Sequence, residues 1–250
     1  MRGQIHPIIN HAALKVSCSN CSLSELCLPR SLNGDEITQL ESSVEVKRAL
    51  QKGEHLFSSN EPFKSFYAVR TGSLKTYLLT SEGAEQITGF NLPGELLGMD
   101  GVNTDKHTIS AVALETTTVC EIPYHQLDEL CGQLPELRMQ IMKIISREIS
   151  DDHQMLLLLG KMSAEERLAR FLLSLSDRLN IRGYSRTDFN LTMPRHDLAN
   201  YLGLAVETIS RLFGKFQNKN ILSVNRRNIK ITDLTALQQL SCGGKTDQVD

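Results

Sequence analysis

From Glu136 to Leu159 the chain runs without a glycine or a proline, between a proline at 135 and a glycine at 160. An uninterrupted stretch of that length predicts one long helix, and its apolar residues recur at coiled-coil spacing. Met142, Ile149 and Leu156 share one heptad position, and Ile145, Asp152 and Leu159 share the other. A second stripe, Leu137, Ile141, Ile144 and Met155, runs beside it. A helix with two apolar stripes can lay one on its own domain and offer the other to a second copy of the chain. Met142, Ile145, Ile149, Asp152 and Leu156 are therefore the candidate dimer seam. Asp152 is its acidic exception, because a parallel dimer would bring two carboxylates together.

The sequence on either side of this helix has a different rhythm. From Val44 to Tyr124, short apolar runs are cut by Gly, Pro and Asn: His55–Phe57, Ser65–Val69, Leu74–Leu79, Gln86–Phe90, Ile109–Leu114 and Thr117–Ile122. Regularly spaced strands of this kind predict a sandwich or barrel. Ahead of them, Asn33 with Asp35 and Glu36 marks the start of a short helix. Beyond Gly160, Ser163-Ala-Glu-Glu166 is a capping-box pattern opening a helix to about Leu179.

Arg195 to Phe213 has the spacing of a helix-turn-helix. Small Ala199 permits close approach, Gly203 frees the turn, and Leu198, Leu202, Ile209 and Leu212 pack the pair. Glu207, Thr208, Ser210 and Arg211 then lie at the start of the second helix. From its outward face Arg can pair with guanine, Glu can accept from cytosine and Ser can do either. Ile221–Val224 and Asn228–Ile231 flank Asn225-Arg226-Arg227, a hairpin wing whose Arg226 and Arg227 suit phosphate contact. Charge follows the same division. Residues 1–160 carry 13 Lys+Arg against 20 Asp+Glu, whereas 161–240 carry 13 against 7. The basic C-terminal part suits double-stranded DNA, and the acidic bulk does not.

Three of the six cysteines, Cys18, Cys21 and Cys27, fall in a C-x2-C-x5-C pattern near the N-terminus. With no long apolar run and no apolar leader, the chain is expected in the cytoplasm without a membrane partner. Clustered thiols in a reducing compartment are metal ligands more often than disulfides. Spacing leaves the fourth ligand open among Cys120, Cys131 and Cys242, and leaves zinc beside iron–sulfur.

In this order, cysteine cluster, strands, long helix and winged helix-turn-helix resemble the cyclic-AMP receptor protein (CRP/FNR) superfamily, and within it the oxygen-sensing FNR group. The resemblance rests on the cysteine pattern, on Gly83–Phe90, on Ala113–Pro123 and on Val206–Arg211. It implies an α+β chain with an antiparallel, jelly-roll-like β-roll as sensory domain, a dimerisation helix and a winged helix-turn-helix. It also implies a [4Fe–4S] cluster, one per subunit, on Cys18, Cys21, Cys27 and Cys120. No cyclic nucleotide is expected, because Ile109 stands where the superfamily's phosphate-gripping Arg should precede Ser110.

The segments expected are a cysteine-rich cluster-binding stretch at 1–30, the β-roll at 31–133, the dimerisation helix at 134–160, the DNA-binding domain at 161–240 and a loose tail at 241–250. An FNR-like regulator implies an intact cluster favouring a homodimer under anaerobic conditions. That dimer would bind a palindrome with half-sites like TTGAT and ATCAA, with RNA polymerase as a partner, to activate or repress genes of anaerobic metabolism. The alternatives are a superfamily regulator with structural zinc or another small-molecule effector, and an iron–sulfur redox enzyme. No catalytic constellation supports the enzyme.

Overall fold

The Asn33 side chain accepts from the backbone N–H of Asp35 (3.1 Å) and of Glu36 (3.0 Å), and Glu36 accepts from the Asn33 N–H at 2.8 Å. This reciprocal cap opens helix α1, Gly34–Ser42. The computed structural model describes residues 17–47 and 49–242. The start of the cysteine segment assigned to 1–30, and the tail beyond Cys242, lie outside the described residues.

Each apolar run becomes a strand: β2 (His55–Phe57), β3 (Ser65–Thr71), β4 (Leu74–Leu79), β5 (Glu85–Asn91), β7 (Ser110–Ala113) and β8 (Thr118–Pro123). Two-residue strands β1 (Glu45–Val46) and β6 (Leu96–Leu97) join them. The strands form two antiparallel sheets, ordered β1-β8-β3-β6 and β2-β7-β4-β5. This is the expected β-roll.

Strand β3 is buried on both faces, and alternation divides its side chains. Tyr67 and Val69 enter the core between the sheets with Leu74 and Val119, whereas Phe66 and Ala68 pack with Leu28, Leu40, Ile122 and Leu137 under the helices. Strand β8 alternates likewise, so Val119 points inward and Cys120 joins the layer that the N-terminal segment covers.

Helix α2 (Tyr124–Gln133) leads into α3, Pro135–Lys161, with proline at its first turn. At about 1.5 Å per residue, α3 extends about 40 Å. Leu137, Ile141 and Ile144 pack on the β-roll, and Met155 packs toward the C-terminal domain. Met142, Ile149 and Leu156 keep 57%, 51% and 69% of their surface exposed, whereas Ile145 and Leu159 of the same stripe are half-buried, Leu159 against the C-terminal core.

The Ser163–Glu166 capping box opens α4, Ala164–Asn180. Strand β9 (Asp188–Asn190), helices α5 (Arg195–Tyr201) and α6 (Val206–Asn218), and strands β10 (Leu222–Asn225) and β11 (Asn228–Ile231) complete the winged module, with sheet order β10-β11-β9. Ser241 does not begin a tail: it closes α7, Leu234–Ser241, is buried, and donates its hydroxyl to the Gln238 carbonyl. None of the described helices is long and apolar enough to cross a membrane.

Candidate metal centre and nucleic-acid interface

The cysteine segment is a chain of short turns pivoting on the cysteines themselves. Cys21 N–H donates to the Cys18 carbonyl (3.2 Å), Ser24 N–H to that of Cys21 (3.1 Å) and Arg30 N–H to that of Cys27 (3.3 Å). A 3₁₀ turn, Ser24–Leu26, lies between the second and third thiols. Glu41 of α1 anchors the start by accepting from the Ser19 N–H (2.8 Å) and hydroxyl (3.0 Å), which hold its carboxyl below the usual carboxylate range. Gln140 of α3, itself buried, donates to the Cys27 carbonyl at 3.4 Å. The cysteine loop is thereby bonded to α3.

Cys18, Cys21, Cys27 and Cys120 line one cavity, with Leu28, Ala68 and Ile122 among its apolar walls. Strand alternation brings Cys120 there. Its register partners are Val46 on β1 and Ala68 on β3, and the small Ala68 leaves room above the sheet. All four cysteines are free thiols. Burial pushes the Cys18 thiol up to about 12, with Cys120, Glu41 and Cys21 adding to the shift. Burial likewise pushes Cys27 up to about 12, opposed by a hydrogen bond from the Leu28 backbone, and raises Cys120 against the nearby charge of Arg70. Such thiols hold their protons until a cation compensates the thiolates.

No three His, Cys, Asp or Glu side chains among the described residues converge closely enough to hold a single metal ion. Cys131, half-buried on α2, and Cys242, exposed at the end of α7, lie outside this cavity.

At the other end of the chain, Gly203 adopts φ +61° in the turn between α5 and α6, and Leu198, Ala199, Leu202, Ile209 and Leu212 are buried between the helices. Glu207, Ser210 and Arg211 are exposed along α6. Thr208 is half-buried and accepts from the Arg211 guanidinium at 3.3 Å. Arg226 and Arg227 are exposed at the β10–β11 turn, Arg226 with φ +55°. On α3, Asp152 is exposed beside Ile149 and Leu156, while Ile145 is half-buried.

Arg167 was not singled out by the sequence, yet it ties three segments together. Its guanidinium donates to the carbonyls of Leu159 (2.8 Å), Met162 (2.9 Å) and Leu202 (3.0 Å), fastening the end of α3 to the helix-turn-helix corner. One arginine amid many has no periodic signature, and only its place in a capped first turn could have drawn attention.

Comparison with known proteins agrees with this architecture. The family model described as "Cyclic nucleotide-binding domain" matches residues 47–133, and the "Crp-like helix-turn-helix domain" matches 166–240. The chain is 50% identical over 233 residues to the "Fumarate and nitrate reduction regulatory protein" of Yersinia pestis, covering 93% of each chain. It is 50% identical over 237 residues to the "Transcriptional activator protein Anr" of Pseudomonas protegens, covering 95% of this chain and 97% of that one. Among solved structures, FixK2 from Bradyrhizobium japonicum superposes with a TM-score of 0.73 at 29% identity, over 79% of this chain and 96% of that one.

Proposed function

The chain belongs to the CRP/FNR family of transcription regulators, which are not enzymes, and on that premise we propose that it switches transcription with oxygen through a [4Fe–4S] cluster on Cys18, Cys21, Cys27 and Cys120. The relatives' names, a fumarate and nitrate reduction regulator and an Anr activator, support a role in the anaerobic response. The observation that carries the reading is the single cavity lined by four free thiols, three from one loop and one from β8. A lone zinc ion would draw all four sulfurs to about 2.3 Å from one point. Four thiols on one cavity, three from one loop and one from a strand, suit the all-thiolate ligation of an iron–sulfur centre.

When bound, such a cluster supplies an oxygen-labile cross-link between the cysteine loop and β8. The chain's own residues carry the consequence outward. Gln140 joins the Cys27 carbonyl to α3, whose outer face holds Met142, Ile145, Ile149 and Leu156, with Asp152 opposing close approach of a second copy. A parallel dimer on that face puts two α6 helices about one DNA turn apart, which calls for a palindromic operator. Glu207, Ser210 and Arg211 read base edges of TTGAT-type half-sites there, with Thr208 steadying Arg211, while Arg226 and Arg227 contact phosphate. RNA polymerase is the partner on the promoter.

Control by a cyclic nucleotide lacks its anion donor. Ile109 occupies the place of the phosphate-binding Arg before Ser110.

The test is purification without oxygen, followed by absorbance, iron and acid-labile sulfide through controlled air exposure, with sedimentation and operator binding measured on the same samples. Loss of iron–sulfur absorbance in step with loss of dimer and of operator binding is expected. A zinc-loaded protein whose DNA binding ignores air overturns the reading.

A further inference from the structure

The turn between β5 and β6 touches three parts of the chain that the proposed switch must coordinate. Gly94 in that turn has φ +90°, and a Cβ there would lie 2.9 Å from Cβ of Leu26, the last residue of the 3₁₀ turn preceding Cys27. Backbone of the β-roll therefore rests directly against the cysteine loop.

The next residue, Glu95, accepts from two arginines of the DNA-binding domain. Arg178 donates Nε to Oε1 at 3.0 Å and Nη2 to Oε2 at 2.6 Å, and Arg182 donates Nη2 to Oε1 at 2.7 Å. Both arginines also reach backbone of the β-roll: Arg178 donates to the Phe90 carbonyl (2.5 Å) and Arg182 to that of Pro93 (2.6 Å). Exposed ion pairs contribute little. Here the Arg182 side chain is only 3% exposed and the Arg178 fork is bidentate, the arrangement that fixes geometry as well as charge. Burial would lower the pKa of Arg178, yet Glu95 holds it above its usual range, with Asp151 of α3 contributing. Asp151 immediately precedes Asp152 of the seam.

A second, separate contact holds the same domain. Lys75 of β4 pairs with buried Asp197 of α5 at 3.0 Å, and the Asn200 side chain accepts from the Ile87 N–H (2.7 Å) and donates to the Glu85 carbonyl (2.8 Å) on β5. Two bodies joined at separated points cannot swing about either one.

We propose that Glu95, with Arg178 and Arg182, is a latch that sets the orientation of the winged domain on the β-roll, and that Leu26 against Gly94 couples this latch to the cysteine loop. The proposal rests on the switch reading above for its input, but the latch itself does not depend on which metal the cysteines hold. Glu95 is a positioning residue. In a dimer, two heads held at fixed angles engage both half-sites at once, whereas two loosened heads bind each half-site as before and lose the gain of joint engagement.

The experiment uses the full chain, purified without oxygen and matched for metal content, as wild type, Glu95→Gln, Arg182→Lys, Leu26→Ala and Glu95→Gln/Leu26→Ala. Fluorescence anisotropy measures binding to a palindrome and to an isolated half-site, sedimentation measures the monomer–dimer constant, and hydrogen exchange is followed over residues 177–184. In Glu95→Gln the preference for the palindrome over the half-site falls about tenfold or more, with half-site binding and dimerisation unchanged and exchange over 177–184 faster. Arg182→Lys keeps the charge but not the geometry and loses part of the preference. Leu26→Ala loses preference too, and the double variant loses no more than the larger single loss.

An unchanged preference in Glu95→Gln, or losses that multiply in the double variant, overturns the proposal. Should Glu95→Gln melt too low to assay, Arg182→Lys decides by the same ratio. Metal analysis alone decides the cluster. Equal exchange over 177–184 in metal-free wild type and metal-free Glu95→Gln sinks the latch whatever the cysteines bind.

Discussion

Replacing Asp152 tests whether the seam of α3 is held back by charge. The residue is exposed between Ile149 and Leu156, which keep 51% and 69% of their surface, so any partner helix that covers those two also covers Asp152. Packed helices lie about 8–10 Å apart. Two carboxylates at about 9 Å in an effective dielectric of about 20 repel by about 2 kcal/mol. At 1.4 kcal/mol per factor of ten, this is about 30-fold in the dimer constant. Asp152→Ala in the metal-free chain is therefore expected to tighten the sedimentation dimer constant by about that factor. Asp152→Asn, which removes charge and keeps shape, should recover most of the gain. Because the repulsion is screened, raising the salt from about 0.05 to 0.5 M should narrow the gap between parent and variants. An unchanged constant in both variants, or a gain in Ala absent from Asn, refutes the electrostatic argument.

Other substitutions separate the remaining roles. Arg211→Ala should lose about 1–3 kcal/mol of discrimination between operator and scrambled DNA in competition binding while keeping salt-sensitive non-specific affinity; equal loss on both DNAs contradicts base reading. Cys120→Ser should abolish oxygen-labile absorbance and Cys131→Ser should leave it, and the reverse pattern would reassign the ligand. Glu148 offers a pH test. Its side chain lies at the surface of α3, where local desolvation first, then Asp152, Asp100 and other carboxylates, raises its carboxyl from 4.5 to about 7. The folded chain thus holds a proton that the unfolded chain releases, so this group's stabilisation is present at low pH and is lost as pH rises from about 4.5 through about 7. Glu148→Gln should melt above the parent at pH 7.5 and together with it near pH 4.5, and an equal offset at both pH values would exclude this carboxyl as the cause.

Features carried by local period or local chemistry were legible in the sequence. The Asn33 and Ser163 caps, the six principal strands, the unbroken α3 and the Gly203 corner all depend on residues within a few positions of one another. The four cysteines required more. C-x2-C-x5-C is local, but spacing could not choose among Cys120, Cys131 and Cys242, since only the pairing of β8 with β1 and β3 brings position 120 under the loop. Helix α7 and strand β9 went unread because they are short and take their stability from the module they pack on. Glu95 with Arg178 and Arg182, and Lys75 with Asp197, join residues 83 to 122 positions apart. Charge pairs so distant leave no pattern in a single sequence.

Strand β5 lies at the margin of its sheet, where backbone N–H and carbonyl groups would ordinarily face water or another strand. The Asn200 amide meets two of those groups and acts as a short surrogate strand. Its removal therefore reaches beyond the orientation of the DNA reader. A chain whose winged domain has swung away presents a bare hydrogen-bonding ladder to every neighbouring molecule, and the first visible symptom would be loss of solubility at high concentration, ahead of any loss of helix content.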